Sequence, residues 1–121
     1  MSFEKIKSVE HCFTSSQRNA ILCVLPLISY QRIVTPKMRK GLADASAKLM
    51  HCSTTFRTLE FEAIVSAVEL SILLMSGKAP ELKQRVLQDA EWFEEIKSNY
   101  FVLNDLRQQF HQIAAELGID I

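Results

Sequence analysis

The longest apolar segment of the chain, residues 59–75, restricts the fold more than any other feature. Its sequence is LEFEAIVSAVELSILLM, and it contains neither glycine nor proline. Wound as an α-helix, it carries apolar side chains around most of its circumference and leaves one narrow polar line. That line consists of Thr58, Glu62, Ser66, Glu69 and Ser76, and Leu73 interrupts it. A helix with so little polar surface is predicted to lie at the centre of a helical bundle.

This segment is too short and too charged to be interpreted as a membrane span. A bilayer requires roughly 20 consecutive apolar residues, and Glu60, Glu62 and Glu69 would each be costly in lipid. We therefore predict a buried helix over about residues 55–76, in a protein that has no membrane partner.

Length, charge and cysteine content predict one helical domain over residues 1–121 in the cytoplasm. A chain of 121 residues with 48% hydrophobic content can bury a core without disulfide staples. Its 14 basic and 14 acidic residues cancel, so no overall field attracts nucleic acid or anionic lipid. The three cysteines lack a paired spacing, and charged residues near the start of the chain interrupt the apolar core that a signal peptide needs.

Few glycines and prolines, none in a hairpin context, favour an all-α fold with five to six helices. A first short helix is predicted from Ser2 to about Phe13, because Phe3, Ile6 and Val9 recur at helical spacing. A second is predicted over residues 16–34, with a kink at Pro26 or a division into two short helices.

The other helices are predicted from their caps. Thr35 followed by Pro36 is a strong start signal for a helix that ends near Cys52, and Gly41 should weaken that helix. Residues 53–55 offer caps for the central helix, and Gly77 is suited to end it. Residues 81–117 contain neither glycine nor proline; they predict either one helix of about 55 Å or, preferably, two helices divided at residues 98–99.

Two His-Cys dipeptides, His11-Cys12 and His51-Cys52, suggest a zinc site, because imidazole and thiolate are ligands that zinc prefers. Adjacent residues on a helix point about 100° apart and rarely bind one ion. The favoured interpretation is that the cysteines pack in the core and the histidines lie near helix ends. The sequence predicts no metal site and no cofactor.

Carboxylates are concentrated in two places. Glu62 and Glu69 lie seven residues apart on the polar line of the central helix, where they could bind a cation or act in acid–base chemistry. The preferred interpretation is a solvated stripe or ion pairs to a neighbouring helix. Glu91, Glu94 and Glu95 form an acidic segment of the kind that all-helical nucleotide pyrophosphohydrolases use for Mg²⁺. A second acidic motif with the required spacing is missing from the sequence, so a solvated helix face is the preferred interpretation.

Four basic residues within nine, Arg32, Lys37, Arg39 and Lys40, surround the predicted helix start at Thr35. The helix dipole disfavours positive charge in a first turn. This unfavourable arrangement suggests an anionic partner, either a phosphate backbone or an acidic protein surface.

Trp92 and Phe93 are adjacent, so they point to different sides of their helix. Trp92 is predicted either to anchor an interface or to be partly buried at the bundle edge.

The function predicted from these features is that of a small, non-enzymatic helical interaction protein: an adaptor, inhibitor or regulator that binds a protein partner or forms a homodimer. The sequence contains no glycine-rich phosphate loop, recognisable catalytic triad or metal motif. The candidate partner-binding residues are Arg32, Lys37, Arg39, Lys40, Glu91, Trp92, Glu94 and Glu95. Two alternatives are a nucleic-acid-associated regulator that uses residues 32–40 and an Mg²⁺-dependent helical nucleotide hydrolase that uses the acidic residues.

Overall fold

The computed structural model describes residues 8–31 and 33–117. These residues form six α-helices, one 3₁₀ helix and two short strands, which confirms the all-α prediction. In chain order the elements are β1 (Ser8–Glu10), α1 (Ser15–Val24), the 3₁₀ helix (Leu25–Tyr30), α2 (Pro36–Met50), β2 (Thr55–Arg57), α3 (Thr58–Met75), α4 (Pro80–Val86), α5 (Ala90–Ser98) and α6 (Tyr100–Glu116).

The apolar segment forms α3 at the centre of the fold, as predicted. It packs against α1, α2, α6 and the 3₁₀ helix. Phe61, Ile64, Ala67, Val68 and Leu74 are almost completely buried within it. Because α3 is apolar on most of its circumference, it can contact several helices at once and holds the bundle together.

The prediction of a helix around Val9 is wrong for residues 8–10, and its earlier part lies outside the described residues. Residues 8–10 form β1, which pairs antiparallel with β2 in a register that sets Val9 opposite Phe56. Val9 and Phe56 are buried while the strand residues on either side of them are exposed, which is a period of two rather than 3.6. Pairing with a distant strand has overridden a weak helical pattern.

The caps predicted for α3 at residues 53–55 are also wrong, because β2 extends directly to the start of the helix. The side chain of Glu60 does the capping instead: its Oε1 accepts the N–H of Arg57 at 2.7 Å. α3 therefore begins at Thr58, three residues later than predicted.

Other boundaries agree with their sequence signals. The division at Pro26 is confirmed, since α1 ends at Val24 and a 3₁₀ helix follows it, although that helix ends at Tyr30 rather than residue 34. Thr35 caps α2 by accepting the N–H of Met38 at 3.1 Å. Gly77 ends α3 with φ of +76°, in the left-handed region where glycine is favoured.

The chain after Pro80 divides twice, so the alternative of one continuous helix is wrong. The predicted break at residues 98–99 is confirmed between α5 and α6. A second break, which the sequence did not indicate, follows α4; there the side chain of Asp89 accepts the N–H of Trp92 and caps α5.

Gly41 is the point of closest approach between α2 and the start of α3. It is buried, and a β-carbon at this position would lie 3.0 Å from the carbonyl oxygen of Leu59. Helix propensity alone predicts that Gly41→Ala stabilises α2 by about 1 kcal/mol. We expect the steric cost against a backbone atom to exceed that gain, so that the variant loses about 1 kcal/mol in urea unfolding. The reverse change at the exposed Ala43, Ala43→Gly, should cost about 1 kcal/mol; a more stable Gly41→Ala would contradict the close approach.

Candidate functional site

The polar line of α3 forms the floor of an open groove, which we call the α3 groove. Glu62, Ser66, Glu69 and Leu73 follow one another along this face, and none of them is buried. Leu73 retains 38% of its surface exposed, which is high for a leucine on a central helix. A second opening of α3 lies near its end, where Ile72, Met75 and Ser76 line a cavity of about 440 Å³ with α4, α5 and Tyr100.

Three adjoining cavities make up the groove, and Gln31 lines all of them. The first, of about 110 Å³, lies between α3 and the start of α2, where Lys37 and Met38 form its wall. The second, of about 420 Å³, lies between Leu70 and α4. The third, of about 480 Å³, extends from Ser66 to Leu73 and reaches α6 at Arg107 and His111.

The two carboxylates of the groove have different surroundings. Glu69 is held by α6: Arg107 Nε donates to both of its oxygens at 3.1 Å, and His111 Nε2 lies 3.4 Å from Oε1. Glu62 and Lys37 both line the first cavity, and neither side chain makes a hydrogen bond or an ion pair with another described residue. Among the described residues that line the first cavity, Glu62 and Lys37 are thus the charged side chains without an ion-pair partner in the described part of the chain.

The floor of the groove is apolar at its middle and polar along its edges. Leu70 and Leu73 supply apolar surface at the middle of the groove, while amide, carboxylate and guanidinium groups lie along its edges. An apolar centre with a polar rim is the usual arrangement of a protein-binding surface. In the part of the chain that the structure describes, no three histidine, cysteine or acidic side chains are grouped closely enough to hold a metal ion.

The predicted basic cluster lies at the start of α2. Lys37, Arg39 and Lys40 are exposed there, and α2 carries no acidic residue in its first turn. Lys37 also reaches the α3 groove. Arg32 lies outside the described residues.

The predicted acidic residues lie on α5, away from the groove lining. Glu91, Glu94 and Glu95 are exposed, and Glu94 pairs with Lys97 at 3.3 Å on the same helix. An exposed pair of this kind contributes little to stability.

Trp92 joins α5 to α1. It is half-buried, its Nε1 donates to the carbonyl oxygen of Cys23 at 2.8 Å, and its ring meets Tyr30 edge-to-face at 5.4 Å. Burial, together with the neighbouring Glu95 carboxylate, raises the pKa of the Cys23 thiol to about 12. The described surroundings of Trp92 are those of a packing residue at the bundle edge.

The sequence predicted the polar line of α3, and it named Lys37 of the wall as a candidate partner-binding residue, but it did not predict the groove that these residues form. Gln31 is far in the sequence from Arg107 and His111, which lie four residues apart on α6, and no pattern gave a reason to combine them. The one available signal was Leu73, which interrupts an otherwise polar line and so marks apolar surface facing outward.

Comparison of the chain with models of protein families, with curated proteins and with solved structures gives no significant match. None of the described helices is long and apolar enough to cross a membrane.

Proposed function

We propose that this protein is a non-enzymatic interaction protein that binds an amphipathic helix of a protein partner in the α3 groove. The observation that carries the proposal is the uncovered face of the most apolar helix, with Leu73 exposed between polar rims. Burying such a face against a partner would stabilise a complex by removing apolar surface from water.

The dimensions of the groove suit a helix. From Glu62 to Leu73 the floor extends about 17 Å at 1.5 Å per residue, which corresponds to about three helical turns of a partner. A helix bound in such a groove presents apolar anchors at positions i, i+3 or i+4, and i+7.

The charges of Glu62 and Lys37 indicate which charged residues the partner helix carries and which of its ends lies near α2. Glu62 and Lys37 lie at the end of the groove formed with α2. We expect a basic residue of the partner helix to pair with Glu62 and an acidic residue to pair with Lys37. Such pairs contribute to specificity and to the rate of association more than to affinity.

Two leucines of similar exposure provide a matched test. Leu73 is 38% exposed and lines the groove, whereas Leu87 is 45% exposed and follows α4 outside the groove lining. We expect Leu73→Lys to weaken binding of a co-purified partner at least tenfold, because a charge would replace a central apolar contact. Leu87→Lys should leave binding unchanged, and both variants should keep the wild-type melting temperature.

The measurement is affinity purification from the native cell, followed by titration calorimetry with the partner and light scattering of the free protein. Dimerisation that Leu73→Lys abolishes would identify a second copy of the chain as the occupant. Equal partner binding by Leu73→Lys and wild type would contradict the proposal.

A second candidate is an anionic partner, such as nucleic acid, at the start of α2. The exposed Lys37, Arg39 and Lys40 favour it, because none of the three forms an ion pair with an acidic residue that the structure describes. Replacing all three with glutamine should then reduce the slope of log affinity against log salt concentration by about 2 to 3. An unchanged slope in a filter-binding assay would count against this candidate.

A further inference from the structure

The fold brings the two His-Cys dipeptides to the same end of the β1–β2 ladder. The ladder pairs Glu10 with Thr55, and one step further the N–H of His11 donates to the carbonyl oxygen of Thr54 at 2.8 Å. Cys12 comes directly after His11, and Cys52 comes two residues before Thr54. Because the strands are antiparallel, the segment after β1, which contains Cys12, and the segment before β2, which contains Cys52, lie at the same end of the ladder.

The register brings the two cysteines within reach of each other. Continued by one residue, it sets Cys12 opposite Ser53, the neighbour of Cys52. Opposite residues of antiparallel strands have α-carbons about 4.5–5.5 Å apart, and Cys52 is offset from the position opposite Cys12 by one residue, about 3.4 Å along an extended strand. Together these correspond to about 6 Å, and disulfides join residues whose α-carbons are about 4.4–6.8 Å apart. Both thiols are free and both residues are exposed, so an oxidant can reach them.

The backbone of Cys52 is unusual in a way that supports a role for its side chain. Its φ of +58° lies in the left-handed region, and it is the one non-glycine residue with positive φ among residues 8–31 and 33–117. The N–H of Cys52 bonds to Leu49 O and that of Ser53 to Lys48 O, which closes the end of α2.

The end of α3 has the same pair of hydrogen bonds, and there the equivalent residue is Gly77. Glycine is the residue that suits this position. The chain thus retains a cysteine where its backbone favours glycine, and such strain is commonly kept at functional positions.

We propose that Cys12 and Cys52 form a reversible disulfide that links the segment after β1 to the end of α2. A small-molecule disulfide such as oxidised glutathione supplies the oxidant. The thiolate of one cysteine attacks it and releases one glutathione thiolate, leaving a mixed disulfide on the protein. The second cysteine attacks that mixed disulfide and releases the other glutathione, so two protein thiols lose two electrons and two protons as one glutathione disulfide becomes two thiols.

The test is mass spectrometry of the full chain after equilibration with reduced and oxidised glutathione and alkylation of the remaining thiols. Trypsin places the three cysteines in separate peptides, since it cleaves after Arg18 and Lys48 among other sites. We expect a Cys12–Cys52 linked peptide from monomeric protein, alkylated Cys23, and loss of the link after reduction. The melting temperature should rise by several degrees on oxidation, because the link constrains the unfolded chain.

Three variants keep the test decisive. Cys52→Gly suits the left-handed backbone, so it should fold and yet show neither the link nor the rise in melting temperature. Cys12→Ser should behave in the same way, whereas Cys23→Ser should retain both effects. Links between molecules, links that involve Cys23, or stable glutathione adducts on unlinked Cys12 and Cys52 would overturn the proposal.

Discussion

Replacing Phe56 with alanine is expected to lower the free energy of unfolding by about 3–5 kcal/mol. Phe56 is completely buried on β2, and its ring meets that of Phe13 edge-to-face at 5.6 Å. Phe13 in turn contacts Phe110 of α6, which contacts Phe61 of α3. Removing the Phe56 ring leaves a cavity at the start of this aromatic cluster, where α3, α6 and the two strands meet.

Urea unfolding followed by circular dichroism measures the effect. Phe101→Ala is the matched control, because Phe101 is 80% exposed and its loss should change stability by less than about 0.5 kcal/mol. A domain of this size has roughly 5–15 kcal/mol of stability in total, so Phe56→Ala should remove a large share of it. Equal stability of the two variants would show that residues 55–57 do not pack as described.

The second large effect is expected at Glu60, the buried charged residue of α3. Glu60 is 3% exposed, and its Oε1 accepts both Lys48 Nζ at 2.6 Å and the N–H of Arg57 at 2.7 Å. Glu60→Ala removes the cap of α3 and the carboxylate partner of Lys48, whose ammonium keeps only its hydrogen bond to the carbonyl oxygen of Thr55 at 3.2 Å. We expect a loss of about 2–4 kcal/mol.

Glu94→Ala provides the comparison in the same unfolding assay. Glu94 also pairs with a lysine, Lys97, but both side chains are largely exposed, so the loss should be below about 0.5 kcal/mol. If Glu60→Ala cost no more than Glu94→Ala, the carboxylate of Glu60 would not link α2 to α3.

The parts of the fold that sequence predicted correctly are those with strong local causes. A long apolar segment produced α3, Thr35 with Pro36 began α2, and Gly77 ended α3. β1 was missed because its cause is non-local: three residues are extended only because β2, more than 40 positions away, pairs with them.

For the candidate site, the sequence predicted the polar line of α3 and Lys37, whereas its other candidate partner-binding residues lie elsewhere in the chain, within residues 32–40 and 91–95. The polar line of α3 follows from helical geometry, and its outward position follows from the apolar character of the other faces. The walls depend on how the 3₁₀ helix, α2, α4 and α6 surround α3, which no local pattern indicated. The position of Trp92 was equally dependent on packing, because its hydrogen bond to Cys23 and its ring contact with Tyr30 follow from where α1 and the 3₁₀ helix lie relative to α5.

Site-specific photo-crosslinking in the native cell tests the central claim that partners bind in the α3 groove. A photo-reactive phenylalanine analogue would replace Ser66 at the centre of the groove, or Met50, which is 70% exposed at the end of α2 and outside the groove lining. We predict a discrete crosslinked partner from position 66 that Leu73→Lys eliminates, and none from position 50. A partner captured at position 50 but not at position 66 would contradict the assignment of the groove as the binding surface.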